Sequence, residues 1–463
     1  MYRLLLFACA IALVAGTAHA QEGSYVFQGQ FPDPPLDFGG LGGHGIAVDP
    51  DGKVWFEAFA ATETVVVPAL DNAEVPTRVI YVYNADGTPA SFSPIFFVDY
   101  ADGTTPRDTL GGFVRRNADG DLIWEGRSNR GLRTDNDGNI LASNFNTLFK
   151  LDYQTGQGLA RADFPDYCAL TQATSDVNGN VYVSPVCPGP PIFELDSDLN
   201  TLANVTDVSS NFSRGIIGSP DGLNIYETAY ENTYTIIHRR PDEFSPFDSV
   251  GVAFRGMRSE SAAIHPTTGN LWVSAGNPLN LPNQDPEAVR EWYGNTWYEF
   301  TLDDVNDLDA TQTPLDSLVW GGCESFFDDP NTDFFDAVCT ATIEGVETQL
   351  TGRPRGIDFS DDGMRAYVTA FSALPTDPGG QVQVFELVDV AIEEGAELPS
   401  TVALGQNYPN PFINETKIGF KVEEAAQVQL VIYDMLGREV AMPMNEYLTP
   451  DDYTATVDTR VMA

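Results

Sequence analysis

The sequence predicts an all-β protein: a six-bladed β-propeller, with seven blades as the alternative, followed by a small immunoglobulin-like β-sandwich at the C-terminus. Three observations predict it. A β-prone run, a polar turn ending in glycine and a second β-prone run recur along most of the chain. The central copies are spaced as four-stranded blades are spaced. The C-terminal segment then carries two runs of apolar alternation, the mark of half-buried strands.

The repeat begins with HGIAVDPDGKVWF at His44. It returns as RGLRTDNDGNILAS at Arg130, TQATSDVNGNVYVS at Thr171, RGIIGSPDGLNIYET at Arg214, ESAAIHPTTGNLWVS at Glu260 and RGIDFSDDGMRAYVT at Arg355. The turn glycines, Gly52, Gly138, Gly179, Gly222, Gly269 and Gly363, are separated by 86, 41, 43, 47 and 94 residues. The middle intervals match the about 40 to 45 residues of a blade. The outer two are about double, so each holds either an insertion or a degenerate blade, and FVRRNADGDLIWEG around Gly120 reads as an extra hairpin.

Each turn has a physical logic: a leading Asp, Asn or Ser can bond backbone N–H groups, and glycine takes the positive φ that closes the hairpin. That reading of the turn acids is preferred to calcium ligation, because the later ligands of a calcium loop are missing. Trp55, Tyr182, Tyr226, Trp272 and Tyr367 follow the turn at equivalent places, which predicts packing between blades. NTLFKLDYQTGQGLARADF, PPIFELDSDLNTLANVT and YTIIHRRPDEFSPFDSVGVAF supply pairs of outer strands. The last repeat has only QVQVFELV, and SYVFQGQF near the N-terminus is positioned to supply the missing strand and close the ring.

Residues 1–20 read as a signal peptide, with Arg3, an apolar run from Leu4 to Val14 and Ala18-His19-Ala20 as the cleavage site. The propeller is assigned to 21–390, a linker to 391–402 and the C-terminal domain to 403–463. No later stretch reaches the about 20 apolar residues of a spanning helix, so no transmembrane segment is expected.

Lys and Arg number 24 against 67 Asp and Glu, and loss of Arg3 with the leader takes the formal charge from −43 to −44. Such a field repels phosphate backbones, so nucleic acid is not an expected partner. Four cysteines remain after cleavage, an even set suited to an oxidising compartment. Cys168–Cys187 and Cys323–Cys339 are the simplest of three connectivities. Blade topology puts Cys168 and Cys187 on one face, and Cys323 and Cys339 both fall in the connection to the sixth repeat.

The residue opening each repeat is expected just before the innermost strand, at the mouth of the central channel. These are His44, Arg130, Thr171, Arg214, Glu260 and Arg355. Converging arginines suit carboxylate, sulfate or phosphate groups, unless each pairs with an acid of a neighbouring blade. Only His44, His238 and His265 remain after cleavage, and neither a GxSxG elbow nor an HExxH motif is present. His44 with Glu57 is the one acid–base pair the sequence suggests. Asp303, Asp304, Asn306, Asp307 and Asp309 form an acidic run that could hold calcium in a loop, though no cofactor is certain.

The six repeats resemble those of the NHL, streptogramin-lyase and regucalcin-type propellers, over about Ser24 to Val390. The resemblance implies a blade rather than an activity; metal-dependent lactonases of that group use a Glu, Asn and Asp constellation in the channel. The tail, LGQNYPNPFINETKIGFKVEEAAQVQLVIYDMLGREV, resembles the type A sorting domain of type IX secretion. Gln406, Asn407, Tyr408, Pro409, Asn410, Pro411 and Phe412 match its opening, and Tyr433, Asp434, Gly437 and Arg438 its second run. That family continues through a final strand pair, whereas this chain stops at Val461-Met462-Ala463, which leaves truncation open. The resemblance implies the type IX machinery as partner, and secretion from or attachment to the outer surface of a Gram-negative cell.

The leading functional expectation is a recognition module that takes a small-molecule, glycan or protein ligand, anionic if the ring binds it. A metal-dependent hydrolase or lyase and a structural or adhesive surface protein are the alternatives.

Overall fold

The computed structural model describes residues 2–6, 24–34, 36–38, 42–187, 189–210, 213–229, 232–275, 292, 294–321, 325–326, 339–343, 346–350, 353–371, 381–388, 402–408, 415–422, 426–433 and 439–458. The chain forms two compact units, Ala20–Asp389 and a second made of Met1–His19 with Val390–Ala463.

The larger unit is a six-bladed propeller, its blades counted over the described residues. Blade 1 has Gly43–Val48 innermost, then Val54–Ala58 and Ile80–Tyr83, with bridges from Ile80 to Ile95 and Tyr83 to Pro89 at its outer edge. Blades 2 to 5 are four-stranded antiparallel meanders whose innermost strands are Asn129–Thr134, Thr174–Ser175, Ser213–Gly218 and Ala262–Ile264. Blade 6 takes Arg353–Phe359, Arg365–Phe371 and Val382–Val388 from one end of the chain. Its outer strand is Ser24–Gln30 from the other, with Ser24 opposite Val388. The N-terminal strand therefore closes the ring, as its sequence suggested.

No seventh blade fits. The innermost strands of blades 1 and 2 touch each other, as do those of blades 5 and 6, so both long intervals are insertions. The first holds the hairpin of Gly112–Arg116 with Leu122–Gly126, around Gly120. The second holds a three-stranded sheet, Ser325–Phe326, Cys339–Ile343 and Val346–Leu350.

Burial explains the repeating aromatic. Trp55 packs on Ile140, Phe149 and Leu151 of blade 2, and Tyr182 on Ile216 and Ile225 of blade 4. Trp272 packs on Phe359 and Phe385 of blade 6, so each ring seals the seam to the next blade. At about 25 cal/mol per Å² of apolar surface, such burial supplies most of the drive for blade association. The turn acids serve the same seam. Asp49 Oδ1 accepts the Asp51 and Lys53 N–H groups at 3.0 and 2.9 Å while Oδ2 takes Trp55 Nε1 at 2.8 Å. Asp176 does the same for Asn178, Asn180 and the Tyr182 hydroxyl. Gly52, at φ 77°, closes the first of these turns.

Cys168 and Cys187 form a disulfide with Cα atoms 5.8 Å apart, flanking the first two strands of blade 3. Cys323 lies outside the described residues, so the Cys323–Cys339 pairing does too.

In the second unit, Val402–Tyr408, Glu415–Val422 and Asp451–Asp458 make one sheet. Tyr2–Leu6, Ala426–Tyr433 and Glu439–Leu448 make another, with Tyr2 opposite Val428. Ile418, Phe420 and Val422 share an apolar core with Val428 and Leu430, so the first run, and the second as far as Leu430, buries the face its pattern marks. Gln406, Asn407 and Tyr408 end one strand and Tyr433 another; Pro409, Asn410, Pro411, Phe412, Asp434, Gly437 and Arg438 lie outside the described residues.

Candidate functional site at the channel mouth

The innermost strands break register at one place per blade in four blades. The shifts fall between Gly43 and Gly45, Asn129 and Gly131, Ser213 and Gly215, and Pro354 and Ile357. The residues at those shifts are His44, Arg130, Arg214 and Arg355. A β-bulge bends its strand and re-aims the extra side chain. The four residues therefore lie inside the innermost strands, not before them as the sequence suggested, and the bulge turns them to a common mouth.

His44 shows how close they come. Burial holds its pKa well below the usual histidine value, and the charges of Arg355, Arg130 and Arg214 push it the same way. The Arg130 backbone carbonyl works against them, but neither ring nitrogen has a partner with hydrogen-bonding geometry. The ring is 6% exposed and lies between Phe59 and Phe371, at centroid distances of 5.2 and 5.8 Å. A neutral imidazole results, one nitrogen a donor that leans on the Arg130 carbonyl and the other an acceptor.

The cations differ in how they are matched. Arg355 Nη1 meets Glu260 Oε2 at 2.6 Å, and its guanidinium lies 5.5 Å from the centre of Phe371. Arg130 lies 5.0 Å from the centre of Phe59 and donates from Nε to Ser128 Oγ at 3.3 Å. No described carboxylate pairs with it, and burial, with the charges of Arg214 and Arg78, brings its pKa down to about 10. Thr171 Oγ1 is turned onto the Arg214 backbone carbonyl. Arg78, which no sequence pattern singled out, donates to the Phe59 carbonyl at 2.8 Å and adds a further cation.

Glu57 does not form an acid–base pair with His44. Its Oε1 accepts the Gly131 N–H of blade 2 at 2.7 Å, and burial pushes its pKa up to about 8. The repeat carried a readable signal: two residues after the seam aromatic, the other copies place Ser184, Thr228, Ser274 and Thr369. Those side chains bond locally, as Thr228 Oγ1 does to the Gly215 carbonyl and Thr369 Oγ1 does in accepting the Gly356 N–H. Blade 1 alone has a carboxyl there.

The acidic run is not an open loop. Leu302–Asn306 is a short helix capped by Thr301, with Asp303 and Asp304 in its first turn. Asp304 accepts the Thr313 N–H, Asn306 the Tyr226 hydroxyl, and Asp307 the Asp309 N–H. These groups serve caps and turns instead of converging. Among the described residues, no three His, Cys, Asp or Glu side chains are grouped to hold a metal ion.

The opposite end of the channel is built differently. Arg133 crosses from blade 2 to donate to the Ala262 carbonyl of blade 5, and Gln172 Nε2 donates to the Leu132 carbonyl at 2.7 Å. Beyond them lies a pocket of about 370 Å³ lined from all six blades. Arg133 and Asp358 both stand three residues after the ring position, where other copies have Ala47, Thr174, Ile217 and Ala263.

Fold and site together define a closed six-bladed β-propeller with an arginine-rich, aromatic-walled channel mouth. Among solved structures, the chain is similar to a chain of a mitotic checkpoint complex, at 13% identity over 84% of this chain and 99% of that one, with a TM-score of 0.42. It is also similar to a gluconolactonase from Xanthomonas campestris, at 11% identity over 80% of this chain and 96% of the other, with a TM-score of 0.41. No family model and no curated protein matches it.

Proposed function

We propose that the protein is an exported recognition module whose propeller binds an anionic small molecule or the acidic end of a glycan at the channel mouth. Arg130 carries this reading: a largely buried guanidinium that no described carboxylate matches, in a chain of 24 basic and 67 acidic residues. A buried cation is costly unless paired, and an incoming carboxylate would pair with it through charge-assisted hydrogen bonds. His44 offers the ligand an acceptor nitrogen, and Phe59 and Phe371 wall the site. Glu260 holds Arg355 and keeps the ring from repelling itself.

The leader and the tail supply the address. The signal-like residues 1–20 and the LGQNYPNPF run support export by the general pathway and recognition of 403–463 by the type IX machinery. Delivery to the outer surface of a Gram-negative cell, or release from it, follows.

The test is calorimetric titration of the propeller with glucuronate, sulfate and neutral glucose at low and high salt. Glucuronate or sulfate should bind more weakly as salt rises, and Arg130→Met should cost about 1.5 to 3 kcal/mol of that binding. Equal binding of glucose, or no effect of Arg130→Met, would overturn the reading. The address is tested by deleting 403–463 in a cell that has the type IX machine. Unchanged appearance of the propeller outside the cell would refute it.

A further inference from the structure

The pocket at the far end of the channel is a second site with a different charge pattern. Arg133 and Gln172 bridge the channel above it, so it is separated from the arginine mouth. Its volume, about 370 Å³, lies in the range of small-molecule sites. A cation and two carboxyls, none of them in a described ion pair, come together there. Arg133 is 6% exposed, spends one hydrogen bond on the Ala262 carbonyl and leaves Nε without a partner; no described carboxylate lies within ion-pair distance of it. Asp358 accepts the Val48 N–H at 2.8 Å through Oδ2 and is also held by the Phe359 N–H, but no described cation forms an ion pair with it, and Asp361 lines the same pocket.

The other lining acids are already matched. Asp135 meets Lys150 Nζ at 2.8 Å and Asp176 meets Arg240. Burial raises the carboxyls of Asp358 and Asp361 alike, and the Arg133 charge pulls Asp358 the other way. Ile217, Ile264 and Phe359 give one wall an apolar character. A metal ion is a poor match, because the described carboxylates do not group as ligands. A bare anion would face two carboxylates, and a bare amine would face Arg133.

We infer that this pocket binds a small zwitterion, a free α-amino acid with an apolar side chain, its carboxylate toward Arg133 and its ammonium toward Asp358 and Asp361. Each end then gains a charge-assisted hydrogen bond that neither the unfilled pocket nor a singly charged ligand provides. The side chain lies against Ile217, Ile264 and Phe359.

Titration calorimetry of the whole chain with L-leucine, N-acetyl-L-leucine and isoamylamine tests it. Leucine should bind at least about tenfold more tightly than either analogue, because one charged hydrogen bond is worth about 1.5 to 3 kcal/mol. Asp361→Asn, a change at the pocket rim, should weaken leucine about tenfold while leaving glucuronate binding at the arginine mouth unchanged. Arg133→Gln should weaken leucine and N-acetyl-leucine together; should that variant not fold, Asp361→Asn decides alone. Equal affinity for leucine and isoamylamine, no heat with leucine at millimolar concentration, or loss of leucine binding in Arg130→Met but not in Asp361→Asn would each overturn the inference. Since the two mouths are probed by separate ligands and variants, failure here leaves the glucuronate result standing, and the reverse.

Discussion

Arg355 and Glu260 meet at 2.6 Å, two ring positions of neighbouring blades joined as an ion pair with both side chains buried. Taking away one partner of such a pair leaves an uncompensated charge and costs about 3 to 5 kcal/mol. Glu260→Gln should therefore lower stability by about 3 kcal/mol in urea unfolding, and Glu260→Gln with Arg355→Met should recover part of the loss. A double variant less stable than the single one would contradict the pairing.

Glu57 makes stability depend on pH in a defined direction. Its folded pKa, about 8, lies above the unfolded carboxyl value of about 4.3, so its contribution is full below that lower value and is lost as pH rises through 8. Glu57→Gln keeps an acceptor for the Gly131 N–H and removes the titration. The variant should match the wild type below about pH 4 and exceed it by a few kcal/mol at pH 9. Parallel curves of stability against pH would show that Glu57 does not titrate this way.

Tyr25 locks the closing strand to two blades. Its hydroxyl donates to the Gly363 carbonyl at 2.5 Å and meets His265 Nε2 at 2.8 Å. Since His265 Nδ1 accepts the Thr267 and Thr268 N–H groups, Nε2 carries the proton and Tyr25 accepts it. Tyr25→Phe should cost about 1 kcal/mol, because it removes the hydroxyl's bonds to the Gly363 carbonyl and to His265. Burial pushes the His265 pKa down to about 4, so its share of stability is whole above about 6.5 and is lost as pH falls through 4. His265→Gln should flatten that acid limb, measured as the unfolding midpoint between pH 7 and pH 4.

The bond from Cys168 to Cys187 closes a short loop around the first hairpin of blade 3. Constraining such a loop in the unfolded chain stabilises by about 3 kcal/mol. Cys168→Ala with Cys187→Ala should lose about that much, and mass mapping under non-reducing conditions should find the 168–187 peptide pair. Free thiols at these two positions would count against it.

The architecture was legible because its signals are local and repeated. Gly138, Gly179 and Gly222 mark the blade period directly, and SYVFQGQF stood out as a strand with no hairpin partner. The insertions were less legible, since a doubled interval does not distinguish an added sheet from a degenerate blade until the innermost strands are seen to touch. At the mouth, the identities of His44, Arg130, Arg214 and Arg355 followed from the repeat, but their bulges did not. A bulge depends on the register of the partner strand, which single-strand patterns do not encode. Arg133 was missed because its partner, the Ala262 carbonyl, is on the far side of a ring that no local pattern measures.

The pairing of Ser24–Gln30 with Val382–Val388 also sets an order in time. Whichever end of the chain is made or delivered first, the ring cannot latch until the other arrives, because one blade is shared between the two. Until then the outer edge of blade 6 stands open, a row of unpaired N–H and C=O groups able to template another chain. Contacts between such distant segments also form slowly, since loop closure must precede their reward. The same strand that finishes the propeller thus makes its interval of greatest vulnerability to aggregation last until the whole unit is present.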